Sequence, residues 1–271
     1  MKILISADIE GIQGIPHYDY FKNSKKLKES QKKLVEQINY HIDILNSLGI
    51  KDITVVDGHG SKPNFASKEI NAKVEPKKSK YPMLGNLKKK YDAAIFLGYH
   101  GKANKPKSFY AHTNSTKLIS NVKINEKEVS EAEMNSYVLK SLGIKPIYLY
   151  GTDKACEEIK AYDKNIKIVP TNKSINYFKS TIKNKKQVHK EIKQKLEKAI
   201  EDYKPINPKN NNNNIWKIQV PQIYLLSNLD KKYKINYNNR QIIIKGTHIV
   251  VFLKYRKLIK ELKINQNLYE N

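Results

Sequence analysis

At 271 residues the chain is long enough for one α/β domain plus a smaller lobe with a real core, and its 39% hydrophobic content excludes a disordered chain. No apolar run approaches membrane-spanning length, and the single cysteine, Cys156, excludes an internal disulfide. The net charge of +25 raises nucleic acid as a partner, but the basic residues run along the whole chain and all except Arg240 and Arg256 are lysine, which favours a solvated lysine coat.

The start, MKILISADIEG, lacks a signal-peptide profile because acids arrive where an apolar stretch should continue. With the lone cysteine this reads as a cytoplasmic protein that has neither a membrane nor a nucleic acid as partner.

Ile3 to Ile5 reads as a buried strand, followed by Asp8 and Glu10 and then by Gly11 for a sharp turn. Carboxylates two apart on an extended chain point to the same side, where they repel unless a cation or a shared proton lies between them. A loop rich in aromatics follows, Ile15 to Phe21. Leu27, Leu34, Ile38, His41, Ile42, Leu45 and Leu48 then fall at helical spacing, with Gly49 as the stop. His41 shares that apolar stripe and reads as a core-edge residue.

Ile53 to Val56 is a second strand and ends in Asp57-Gly-His59-Gly60; a polar stretch continues to about Lys90. Ala93 to Leu97 is a third strand and ends in Gly98-Tyr-His100-Gly101. Three strands thus share one layout, an apolar run and then small residues with an acid or a histidine. In a parallel α/β sheet all three ends open on the carboxyl edge, where such folds place their sites.

Residues 101–115, with His112, read as a loop, and Val122 to Asn125 as a short strand. Ser130-Glu-Ala-Glu133 has the form of a capping box before a helix that stops at Gly143. A strand at 145–150, a helix at 153–162, a strand at 166–169 and a Lys/Glu-rich helix near 185–203 follow. Pro205 to Asn214, with five consecutive asparagines, reads as a flexible connector. Beyond it the spacing predicts strands at 216–220, 241–245 and 248–253 and a last helix at about 254–263. The expected architecture is therefore α/β. A mostly parallel sheet carries helices on both faces in residues 1–204, and residues 205–271 form a smaller C-terminal α+β lobe.

The chemistry-bearing set is Asp8, Glu10, His59, His100 and Glu131, with His112 near. Mixed histidine and carboxylate suits zinc and other divalent first-row metals. Five such groups exceed what one catalytic zinc uses and point to two ions, with Asp8 as the shared ligand. Taken singly, each histidine reads equally well as a loop residue bonded to the backbone. Asp57 is either a carboxylate orienting His59 or a turn residue. Cys156, on a predicted helix without a nearby base, reads as packing. Neither a dinucleotide fingerprint nor a P-loop is present.

Ser6-Ala-Asp8-Ile-Glu10-Gly11-Ile-Gln-Gly14, Asp57-Gly-His59-Gly60, Leu97-Gly-Tyr-His100, His112-Thr-Asn-Ser115 and Ile124-Asn…Val129-Ser-Glu131…Asn135-Ser-Tyr-Val138 together resemble the ordered motifs of the zinc-dependent D-aminopeptidase family. The similarity covers the first 180 or so residues well, and the C-terminal part more loosely around Thr247 to Lys260. By that resemblance Asp8, Glu10, His59, His100 and Glu131 are the ligands of a two-zinc centre and His112 is the catalytic histidine, as acid–base group or as nucleophile. It also implies hydrolysis of an N-terminal D-amino acid from short peptides, and a ring-shaped homo-oligomer, a decamer. Glu133 departs from the family pattern, which tends to a small or apolar residue there. The rival readings are a dinuclear-metal phosphoesterase, which keeps the ions, and a non-catalytic basic nucleic-acid-binding protein, which does not.

Overall fold

The computed structural model describes residues 1–60, 62–76, 83–87, 91–209 and 211–270. Part of the polar stretch before Lys90, and Asn210 of the asparagine run, lie outside the described residues. In chain order the elements are β1 (Lys2–Ala7), α1 (Ser24–Ser47), β2 (Asp52–Asp57), β3 (Lys73–Val74), β4 (Ala93–Tyr99), β5 (Asn121–Ile124), β6 (Lys127–Glu128), α2 (Glu131–Ser141), β7 (Lys145–Gly151) and α3 (Asp153–Tyr162). The second half holds β8 (Lys167–Pro170), β9 (Asn172–Ser174), β10 (Ser180–Ile182), α4 (Lys185–Glu201), β11 (Asn214–Gln219), β12 (Lys234–Asn236), β13 (Gln241–Gly246) and α5 (His248–Glu270).

Six strands form a parallel sheet in the order β3-β2-β1-β4-β7-β8. Alternation along β1 decides which face each residue serves. Ile3 and Ile5 join the core beneath α1 and α4, together with Leu34, Ile38, Val188 and Ile192. Leu4 points the other way, into the core shared with α2, α3 and α5. Helices thus cover both faces, as the near-continuous apolar runs of the strands require.

From β1 the chain passes outward to β2 and β3 on one side, and later to β4, β7 and β8 on the other. The strand order therefore reverses between β1 and β4, which is where open α/β sheets bind their ligands. The register brings the ends level: Ala7 lies beside Asp57 of β2 and beside Leu97 of β4. Asp8, His59 and His100 consequently leave the sheet at the same height.

A second, antiparallel sheet runs β12-β13-β11-β5-β6, so strands from either side of residue 205 share it. The fully buried Trp216 of β11 packs against Phe252 and Tyr255 of α5. The described residues of the connector before β11 are irregular chain, and Lys209 N–H donates to the Lys140 carbonyl of α2 at 3.2 Å.

The strand expected at 248–253 is instead the first part of α5. Its β-branched Ile249-Val-Val251 favours extended chain locally, but two features override this. Thr247 starts the helix, its hydroxyl accepting from Val250 N–H at 3.3 Å and its carbonyl from Val251 N–H at 2.9 Å. Val251, Tyr255, Leu258 and Leu262 then recur at helical spacing on the buried side.

Candidate metal centre

Two glycines bring the strand ends together. Gly98 has φ +74° and forms a bulge against β7, where the pairing shifts between Leu97 and Tyr99. The bulge changes side-chain parity. Phe96 and Tyr99, three residues apart, pack in the same core with ring centroids 4.9 Å apart, and His100 follows at the carboxyl edge. Gly11 donates its N–H to the Gly98 carbonyl at 2.7 Å, and a Cβ on Gly11 would lie 2.1 Å from the Tyr99 carbonyl oxygen.

Around this junction the structure brings all six expected residues together. His59 Nδ1 lies 3.2 Å from Asp8 Oδ1 and 2.9 Å from Glu10 Oε1. His100 Nε2 lies 3.6 Å from Asp8 Oδ2 and 3.5 Å from Glu131 Oε1. His112 Nε2 lies 3.6 Å from Glu10 Oε1, and its ring stacks on that of His100 at 4.0 Å. Asp8, Glu10, His100 and Glu131 are buried, whereas His59 and His112 stay part-exposed and border solvent.

Hydrogen bonds at the far nitrogens aim the rings. His100 donates from Nδ1 to the Gly101 carbonyl (3.0 Å), and His112 from Nδ1 to the Tyr110 carbonyl (2.8 Å). A carbonyl can only accept, so in both rings Nε2 is the nitrogen turned to the carboxylates. Glu131 is the first residue of α2, whose Ser130–Glu133 capping box forms: Ser130 N–H donates to Glu133 at 2.9 Å. The departure at Glu133 therefore serves the helix start. Glu131 Oε1 accepts the Asn114 N–H at 2.6 Å, and the Tyr255 hydroxyl of α5 donates to Asn114 Oδ1 at 2.6 Å. Asp57 is held by Asn64, whose Nδ2 also donates to the His59 carbonyl at 2.7 Å.

The electrostatics call for positive charge. Burial, and next the charge of Asp8, push Glu10 up to about 7. Burial works against ionised Asp8 too, but hydrogen bonds with His59 and Glu10 and the charge of His100 hold it well below the usual carboxylate range. Burial works against protonated His100, yet the charges of Glu131, Glu10 and Asp8 raise it to about 10. His112 goes the other way, down to about 4, through burial and the charge of His100 beside it.

The donor set fits metal ions. His100 Nε2 is fully buried and has no hydrogen-bond partner among the described residues, although two carboxylates lie within 3.6 Å of it. An orphaned imidazole nitrogen in that position wants a cation. Three overlapping triads, Asp8–Glu10–His59, Asp8–His100–Glu131 and Glu10–His100–His112, each bring their ligand atoms within 4.8 Å of one another.

The remaining sequence candidates resolve as packing. His41 is fully buried and bonds the Gln37 carbonyl at 2.7 Å and the Tyr148 hydroxyl at 3.2 Å. Cys156 is buried, and burial pushes its thiol far above the range of a reactive cysteine. Among the described residues no helix is long and apolar enough to cross a membrane. Sequence reasoning missed Tyr255 and Tyr110. Tyr255 stands in a helix 124 positions beyond Glu131 with no local signal; Tyr110, two before His112, is betrayed only by its place in an aromatic loop.

Buried carboxylates and imidazoles at the switch point of a parallel sheet, with one nitrogen that has no hydrogen-bond partner among the described residues, define an α/β protein with a candidate transition-metal centre. The chain belongs to the peptidase M55 family, D-aminopeptidase, whose model matches residues 1–222. It is 28% identical over 188 residues to the D-aminopeptidase of Bacillus subtilis (strain 168), a match that spans 65% of this chain and 65% of that protein. Its fold is that of the Zn-dependent D-aminopeptidase DppA from Bacillus subtilis, a self-compartmentalizing protease, with a TM-score of 0.87 over 97% of this chain and 98% of the other at 21% identity.

Proposed function

We propose that this chain is a two-metal, zinc-dependent aminopeptidase that removes an N-terminal residue, with D-amino acids as the substrate class, from short peptides. The observation that carries this reading is the buried Nε2 of His100, without a hydrogen-bond partner yet at the meeting of the Asp8 and Glu131 carboxylates. Asp8, Glu10 and His59 would hold one ion, and Asp8, His100 and Glu131 the other, with Asp8 shared. Two divalent ions so bound supply Lewis-acid polarisation of a carbonyl and a hydroxide at neutral pH.

The chain's own residues do the rest. Asp8 and Glu10 are fixed by the turn at Gly11, and Ile9 N–H donates to both, at 2.9 and 3.3 Å. His112, locked through Nδ1, presents Nε2 beside Glu10, where it can take a proton from attacking water and return it to the leaving amine.

Protein purified without chelator should carry close to two divalent ions per chain, and Asp8→Ala should lose most of them. Full occupancy in that variant would reject Asp8 as the shared ligand. Parallel assays with D- and L-dipeptides and with phosphoesters settle the substrate class, and phosphoester turnover alone would reject the peptidase reading. A closed homo-oligomeric ring, with ten chains as the expected size, follows from the family resemblance. It is supported by the self-compartmentalizing relative of the same fold and is tested by light scattering.

A further inference from the structure

Beside His112 three distant segments converge in one aromatic cluster. Tyr18 and Phe21 come from the loop after β1, Tyr110 from the loop after β4, and Tyr177 and Phe178 from the tip of the β9–β10 hairpin. The Tyr110 ring stacks on Phe21 (4.8 Å, 8°) and meets Tyr18 and Tyr177 edge-on at 5.0 and 5.6 Å. Main-chain bonds clamp the segments: Tyr110 N–H donates to the Tyr177 carbonyl at 2.8 Å, and Tyr18 N–H to that of Phe178 at 2.9 Å.

The cluster is joined to the metal centre through one residue. Tyr110 lies 4.9 Å ring to ring from His112, and its carbonyl fixes His112 Nδ1. Its φ of +45° is a left-handed conformation that a bulky aromatic side chain avoids, and such strain persists only where surrounding contacts impose it. The cluster is not fully covered: Tyr18 and Tyr177 are part-exposed and Phe178 is 55% exposed. Open aromatic faces gain by burial against an apolar group. A lysine side chain would meet Lys22, whose Nζ already stands 5.2 Å from the Tyr18 ring.

We propose that this cluster is the subsite for an apolar side chain flanking the scissile bond of the peptide, with Tyr110 coupling that subsite to His112. The inference rests on the aminopeptidase reading. It makes Tyr110, Tyr177 and Phe178 determinants of specificity, with large apolar side chains preferred over alanine and over lysine.

The test uses the metal-loaded enzyme and dipeptides in which D-alanine, D-leucine, D-phenylalanine or D-lysine is varied at each position in turn. Wild type should favour phenylalanine over alanine at one position. Tyr177→Ala and Phe178→Ala leave the main-chain clamp intact, because their carbonyls are the acceptors. Each should lower the phenylalanine-to-alanine ratio of kcat/KM by about tenfold, the scale of losing an apolar contact with substrate, chiefly through KM and with bound metal unchanged. Tyr177→Leu, which keeps apolar bulk, should restore most of the ratio. An equal loss on all peptides, or a ratio unmoved in both alanine variants, would overturn the subsite alone. Absence of any dipeptide hydrolysis by loaded wild type would overturn the aminopeptidase reading and the subsite with it.

Discussion

The main-chain oxygen of Asp8 occupies the space that a side chain on Gly98 would need: a Cβ there would lie 2.0 Å from it. Asp8 N–H in turn donates to the Leu97 carbonyl at 2.7 Å, so the ends of β1 and β4 are interlocked just below the acids. Gly98→Ala must both push Asp8 away and hold φ at +74° with a side chain. The expected cost is at least ~2 kcal/mol in urea unfolding of chelated protein, together with loss of bound metal. Wild-type stability and metal content in this variant would show that the junction can give without effect on the site.

Tyr255 supports Glu131 from a helix far along the chain, through Asn114. Removing only the hydroxyl, in Tyr255→Phe, should weaken metal affinity by about tenfold, the usual lower scale for a group that orients a ligand. Competition with a chromogenic chelator reads this directly. An unchanged affinity would confine Tyr255 to packing against Trp216.

His112 differs from the two expected histidine ligands, His59 and His100, which neighbouring carboxylates raise: burial and the charge of His100 turn it down to about 4. His112→Ala should keep its metal and lose at least ~10²-fold in kcat at saturating metal, the scale of a proton-transfer group. Near-wild-type turnover would make it a loop residue, and loss of one ion would make it a ligand.

Burial, with a smaller contribution from the charge of His189, pushes His41 down to about 4 from an ordinary value of 6.5. The folded protein thus holds His41 neutral while the unfolded chain takes up a proton below pH 6.5. Its contribution is complete above pH 6.5 and is lost as pH falls toward 4, by roughly 3 kcal/mol in all. Urea unfolding of chelated protein between pH 7 and 4.5 should show wild type losing more stability than His41→Asn, in which that proton uptake is absent. Parallel losses would assign the acid sensitivity elsewhere.

The sequence by itself determined the sheet and much of the site, because those features are written in local order. Apolar runs of strand length ending in Asp8, His59 and His100 had to meet at one edge once the strands were parallel. The Ser130–Glu133 spacing fixed where α2 starts and so where Glu131 stands. Tertiary structure decided what depends on contacts between distant segments. Residues 248–253 carry a strand-like composition, yet helical packing against Trp216 overrides the weak local preference. The β9–β10 hairpin, with three residues per strand, is too short to show a period, although it carries Tyr177 to Tyr110 and Phe178 to Tyr18. The bulge at Gly98 breaks the alternation that sequence reading assumes. The reach of Tyr255 to Asn114 spans 141 positions and leaves no trace in spacing, because a hydrogen bond between distant segments exists only once the chain has folded.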